Sequence, residues 1–166
     1  MLTWTLVLFV FWKREYTKGM KNDSTNVISV SPALISKKQS APLFASQPAA
    51  GFPAPGDDLV EKPLDLNDLL ISNPTATFFV KVAGDSMEGA GIFSGDVLVV
   101  DRSVTATDGK IVVAAVYGEM VVKRLRKYPH RAELISENDS YEPIVISDVD
   151  DIYIWGVVVG SARKFS

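Results

Sequence analysis

Ser86 and Lys123 are the residues of this chain whose types could do chemistry together. Ser86 lies in Val82-Ala-Gly-Asp-Ser-Met-Glu-Gly89, a small-residue turn after the β-rich run Ala76–Val82. Lys123 lies in Gly118-Glu-Met-Val-Val-Lys-Arg-Leu125, which reads as a strand. The 166 residues hold no cysteine and one histidine, His130, which follows Pro129 in a polar stretch. A serine nucleophile would have to find its base outside the Ser-His-Asp arrangement. A lysine can serve only where burial keeps its amine neutral.

Each residue also has a plainer reading. Side chains two apart on a strand share a face, so Val121 and Leu125 flank Lys123 while Val122, Arg124 and Arg126 point the other way. On an apolar face the ammonium is disfavoured and the amine becomes a base; on a strand edge the same side chain snorkels to water. Ser86 after Gly84-Asp85 is either a turn former bonded to its own backbone or an exposed hydroxyl beside N–H groups that could hold an oxyanion. Gly84, Gly89, Gly91 and Gly95 permit a close backbone approach there without requiring it.

The elements that must position this pair read as short strands. Thr77–Val82, Asp96–Val100, Lys110–Tyr117, Glu119–Arg126, Ala132–Ser136, Pro143–Ile146 and Ile152–Val159 are β-branched or aromatic runs bounded by Gly, Asp, Asn and Ser. Asp108-Gly109 and Tyr117-Gly118 signal turns. Asp65 is placed to cap a short helix running to Ile71 before Asn73-Pro74. With no long helix between strands, the expected fold is mostly β, compact and mostly antiparallel. Residues 20–58 are rich in Ser, Pro, Ala, Lys and Asn, and Pro32, Pro42, Pro48, Pro53 and Pro55 are expected to keep regular elements out of an extended arm.

Composition narrows the chemistry further. Hydrophobic content of 47% and charged content of 22% describe a globular chain, and a net charge of −3 gives no general pull toward nucleic acid. The absence of cysteine excludes a disulfide scaffold, a thiol nucleophile and thiolate metal sites, and suits a reducing cytoplasm. No metal or cofactor is expected. Met1–Trp12 is apolar but short of the roughly 20 residues that cross a bilayer, and it lacks a secretory cleavage pattern. The expectation is that Met20 is the true start and residues 1–19 an over-extended reading frame, with a short interfacial anchor as the alternative. The glycines fit neither phosphate-loop pattern, and Asp148, Asp150 and Asp151 lack the rest of a calcium loop. Lys123, Arg124, Arg126, Lys127 and Arg131 read as a solvated basic face. Gln47-Pro-Ala-Ala-Gly-Phe-Pro53 is an extended small-residue stretch that a narrow proteolytic cleft could admit.

Taken in order, these pieces resemble the LexA/UmuD family of self-cleaving Ser-Lys peptidases. The likeness runs from about Pro48 to about Val159. It is carried by Ala49–Pro55, Asp65-Leu-Asn-Asp-Leu-Leu-Ile71, Gly84-Asp-Ser-Met87 and Gly95-Asp-Val-Leu-Val-Val-Asp101. It continues through Gly109-Lys-Ile-Val-Val-Ala-Ala-Val116, Val121-Val-Lys-Arg-Leu125, Asn138-Asp-Ser-Tyr-Glu-Pro-Ile144 and Trp155-Gly-Val-Val158. The intervals also fit, 37 residues from Ser86 to Lys123 and 35 from Gly51 to Ser86.

The expected divisions are an N-terminal extension over 1–19, to which the resemblance does not extend, a flexible arm over 20–58 read from composition, and a catalytic β domain over 59–166 as the resemblance implies. The resemblance also implies Ser86 as nucleophile, Lys123 as general base, Ala50-Gly51 as the cleaved bond, and backbone N–H groups near Asp85 and Ser86 as oxyanion donors. Expected partners are a second copy of the chain, a RecA filament on single-stranded DNA, and a Y-family, UmuC-like polymerase subunit in error-prone translesion synthesis. Alanine precedes the scissile bond, where some members carry cysteine. Residues 1–50 do not read as a helix-turn-helix, so sequence-specific DNA binding is not expected. Two rivals stay open: a signal-peptidase-like Ser-Lys enzyme acting on other chains, and a catalytically silent β module that binds a polymerase.

Overall fold

The computed structural model describes residues 25–34, 40–44, 60–146 and 153–165. The Met1–Trp12 run, the Ala50-Gly51 bond and the Asp148–Asp151 stretch lie outside them. The strands are β1 (Asn26–Pro32), β2 (Ser40–Phe44), β3 (Val60–Asp65), β4 (Thr77–Ala83), β5 (Val97–Asp101), β6 (Ile111–Val116), β7 (Glu119–Tyr128), β8 (Arg131–Ile135), β9 (Ile144–Ile146) and β10 (Tyr153–Ala162), with one short helix, α1 (Leu66–Leu70). Every pairing is antiparallel. The fold is mostly β, as the strand pattern predicts.

Eight strands form one sheet in the order β1-β4-β5-β10-β6-β7-β8-β9, and β1 also meets β7 through Asn26 and Val121. That extra pairing closes a six-stranded circuit. β7, ten residues long, starts in the circuit and continues outward to pair with β8, which carries β9. Between β6 and β7, Tyr117 and Gly118 both have positive φ, 50° and 84°. That is the backbone of a tight turn whose twist matches its strands, and glycine adopts it freely. Asp65 caps α1 as expected, its Oδ1 accepting from the Asn67 N–H at 2.8 Å.

Apolar side chains fill both faces of the central strands. Val80, Val82, Met87, Ile92, Leu98, Val100, Val113 and Val122 form one cluster; Val112, Ala114, Leu125, Ala132, Leu134 and Val157 form another. Val122 does point away from Lys123, but into the first cluster rather than to water. Only farther along β7 does that face emerge, where Arg124 and Arg126 pair with Glu137 and Asp108. Among the described residues no helix is long and apolar enough to cross a membrane.

The expectation that prolines keep regular elements out of residues 20–58 does not hold. β1 and β2 both lie there. Pro32 is tolerated because it is the last residue of β1, and Pro42 because it faces Pro63 in the separate two-stranded ribbon β2–β3. A register shift between Val27 and Ser29 also breaks the alternation by which β1 would have been recognised.

Close packing of β10 on β5 makes a specific demand at Gly156. A Cβ there would stand 2.6 Å from Val100 Cγ1 and 3.3 Å from Arg102 Cγ. Val100 is fully buried and cannot retreat. Gly156→Ala is therefore expected to destabilise the fold by about 1–3 kcal/mol, read as a lower urea midpoint at unchanged slope.

Candidate active site

β4 ends at Ala83, and Gly84 follows with φ of 102°, a left-handed turn that suits glycine. The chain then passes from exposed Asp85 to buried Ser86 and Met87 and on to a 3₁₀ turn at Glu88–Ala90. Met87 is fully buried in the first cluster, so it anchors Ser86 from the next position. Lys123 stands in mid-β7 between buried Val121 and Leu125 and is itself only 2% exposed. Apolar packing on both faces of β7 is what keeps this lysine inside.

The two candidate residues meet. Lys123 Nζ donates to Ser86 Oγ at 2.8 Å and to Ser136 Oγ, just beyond β8, also at 2.8 Å. Ser86 is fully buried and Ser136 is 9% exposed. Burial pushes the Lys123 pKa from 10.5 down to about 8, against a smaller upward pull from the Asp85 carboxylate. At neutral pH a minor but real fraction of the amine is thus uncharged. The Tyr141 ring lies 5.3 Å from Nζ, and its hydroxyl bonds the Asp85 carboxylate.

Two backbone hydrogen bonds fix the serine turn to the strand that carries Ser136. Glu137 N–H donates to Ser86 O at 2.8 Å, and Gly89 N–H donates to Glu137 O at 2.8 Å. Asn138 Nδ2 adds a bond to Asp85 O at 3.2 Å. Arg124 holds Glu137 from outside and reaches Gly109 O at 2.7 Å.

Ser86 has a further neighbour that the sequence reading missed. Thr25 N–H donates to Ser86 Oγ at 2.8 Å, and Ser86 Oγ donates to Thr25 Oγ1 at 3.0 Å. Thr25 O accepts from Val122 N–H at 3.0 Å, and the residue is fully buried at the start of β1. Nothing local in the sequence marks Thr25. Ser136 did have a signal: the β7–β8 register pairs Arg124 with Ile135, so the next position sets Ser136 across from Lys123.

Asp85 and Ser86, the expected oxyanion donors, sit in the turn after Gly84; Ala50 and Gly51 lie outside the described residues. Among the described residues no three His, Asp or Glu side chains gather closely enough to hold a metal. Chemically, the arrangement can move a proton between a hydroxyl and an amine in a site closed to bulk water.

Residues 42–159 match the family described as Peptidase S24-like. The chain is 45% identical to protein ImpA of Salmonella typhimurium over 118 residues, 70% of this chain and 79% of ImpA. It is 40% identical to protein SamA of Salmonella typhimurium over 138 residues, 83% and 96% of the two chains. It is also 40% identical to protein MucA of Escherichia coli over 126 residues, 76% and 86%.

The contact at Gly89 allows a test of the site's framework. A Cβ there would stand 2.5 Å from the Glu137 carbonyl oxygen, a backbone atom that cannot swing aside. Gly89→Ala should push Ser136-Glu137 away from the serine turn and break the Gly89–Glu137 bond. The expected cost is about 1–3 kcal/mol in denaturant unfolding, with the Lys123 amine no longer shielded, so that its titration moves back up toward 10.5.

Proposed function

The chain belongs to the peptidase S24-like family, and on that premise we propose that it is a LexA/UmuD-type serine peptidase of the SOS response that cuts its own Ala50-Gly51 bond. The observation that carries the proposal is the 2.8 Å contact between Ser86 Oγ and a buried Lys123 amine. In this reading residues 20–58 are the arm that holds the cleavage site, its β1 portion docked on the domain at rest, and residues 59–166 are the peptidase domain.

The neutral Lys123 amine takes the proton of Ser86 Oγ as that oxygen attacks the Ala50 carbonyl carbon. Negative charge on the carbonyl oxygen is met by backbone N–H groups at Asp85 and Ser86. When the C–N bond breaks, the Lys123 ammonium returns its proton to the Gly51 nitrogen. Water, deprotonated in turn by Lys123, then frees Ala50 from Ser86 and restores the hydroxyl. Fragments 1–50 and 51–166 result.

In this reading the hydrogen bonds around Ser86 belong to a resting state. A hydroxyl has one proton and two lone pairs. On Ser86 the proton goes to Thr25 Oγ1 and the lone pairs receive Thr25 N–H and Lys123 Nζ. No lone pair is left for attack, so Thr25 must withdraw before the Ala50-Gly51 portion of the arm can enter. An activator need only favour the withdrawn, arm-loaded conformation, a shift between states rather than a gift of catalytic groups. Following the family, that activator is a RecA filament on single-stranded DNA. The shortened chain, as a homodimer, then joins a Y-family, UmuC-like polymerase in translesion synthesis in the cytoplasm.

Incubation with RecA, single-stranded DNA and nucleotide, followed by mass spectrometry, should reveal a fragment beginning at Gly51. Ser86→Ala should abolish it and Lys123→Ala should slow it by about 10²–10⁴-fold. Cleavage of added substrates alone would favour a signal-peptidase-like enzyme, and no cleavage a silent binding module. Because the neutral amine is the base, spontaneous cleavage should rise with pH through about 8 and level off above it; a flat profile from pH 7 to about 10 would argue against lysine. Thr25→Val keeps the shape but removes the acceptor of the Ser86 proton. It should raise the spontaneous rate roughly 2- to 10-fold, the equivalent of one neutral hydrogen bond; an unchanged rate would contradict the resting role of Thr25.

A further inference from the structure

We infer that Ser136 is a positioning residue that aims the Lys123 amine at Ser86. The inference rests on the proposed roles of Ser86 and Lys123 and adds a third side chain to them. A neutral amine has two N–H donors and one lone pair, at the end of a side chain with freely rotating methylenes. To accept the serine proton, the lone pair must face Ser86 Oγ. A partner that takes one N–H from another side restricts rotation about the Cε–Nζ bond and makes that orientation persist.

Ser136 Oγ is placed to be this partner. It receives an Nζ hydrogen at 2.8 Å, the same distance at which Nζ meets Ser86. Its position is fixed twice over. The antiparallel register of β7 and β8 sets it across from Lys123, and the neighbouring Glu137 is bonded through its N–H to Ser86 O and through its C=O to Gly89 N–H. The distance between the aiming hydroxyl and the reacting hydroxyl is therefore set by backbone. Ser136 serves a second purpose once the proton has moved: an oxygen acceptor in a dry site helps hold the new ammonium.

Among the described residues, two other charged or titratable groups lie near Nζ. From the turn after β4 comes the Asp85 carboxylate, bonded to the Tyr141 hydroxyl, and from the loop before β9 the Tyr141 ring. Arg124 and Glu137 lie close by in sequence but are paired with each other. On β6 the register partner of Lys123 is Val112, which does not titrate.

The test is the first-order rate of spontaneous self-cleavage of the full chain across pH, for the parent, Ser136→Ala and Ser136→Thr, with Lys123→Ala alongside. Ser136→Ala should lower the alkaline plateau roughly 10-fold and move the midpoint to lower pH, because the ammonium has lost an acceptor. Ser136→Thr, which keeps the hydroxyl, should restore both. A parent-like plateau and midpoint in Ser136→Ala would overturn the role of Ser136 while leaving the Ser86–Lys123 reading intact. A lower plateau with an unmoved midpoint and no rescue by threonine would also overturn it, reducing Ser136 to a structural residue. Unimpaired cleavage by Lys123→Ala would instead remove the reading on which this inference stands.

Discussion

An amine kept out of water is the constraint on which the rest of the structure depends. Removing an ammonium from solvent is costly, and the protein meets that cost by letting the group become a base at accessible pH. Lys123 is surrounded by Val121, Leu125 and the apolar faces of neighbouring strands, with hydroxyls as its hydrogen-bond partners. A carboxylate in direct contact would have stabilised the charged form. Asp85 is near enough to pull in that direction, yet its carboxylate is engaged by Tyr141, and burial remains the larger influence.

The surrounding architecture serves to hold that amine and one hydroxyl together from distant parts of the chain. Ser86 arrives on a glycine-dependent turn pinned by Met87; Lys123 arrives on the ten-residue strand β7, held between β6 and β8. The two backbone bonds through Glu137 tie the turn to the segment just after β8, which fixes Ser86 relative to Ser136. β1 completes the circuit of strands and brings Thr25 onto the Ser86 hydroxyl. The residue just before the strand that closes the circuit is thus the one that occupies the Ser86 hydroxyl.

Much of this was legible in the residues because it is local. Seven strands from Thr77 onward announce themselves through β-branched runs and glycine or aspartate punctuation, and their observed ends differ from the expected ones by no more than three residues. The Asp65 cap depends on a side chain two residues from its partner. The alternation around Lys123 showed a lysine on an apolar face, although it could not show that Val122 opposite is buried as well. What stayed hidden is long-range. Thr25 and Ser86 are 61 residues apart, and the irregularity in β1 erases the periodicity that would have revealed the strand. Ser136 is an intermediate case, since counting back from the Pro129-His130 turn brings it opposite Lys123.

The most direct test of the account is a site-specific NMR titration of the Lys123 side chain in the full-length Ser86→Ala protein, which cannot process itself during the measurement. An amine titrating at about pH 8 or below, since the variant also lacks the Ser86 acceptor, and in either case well under the ordinary 10.5, is the expected result. A midpoint at the ordinary value would mean that the amine is charged and solvated at working pH, and the proposed base would be lost.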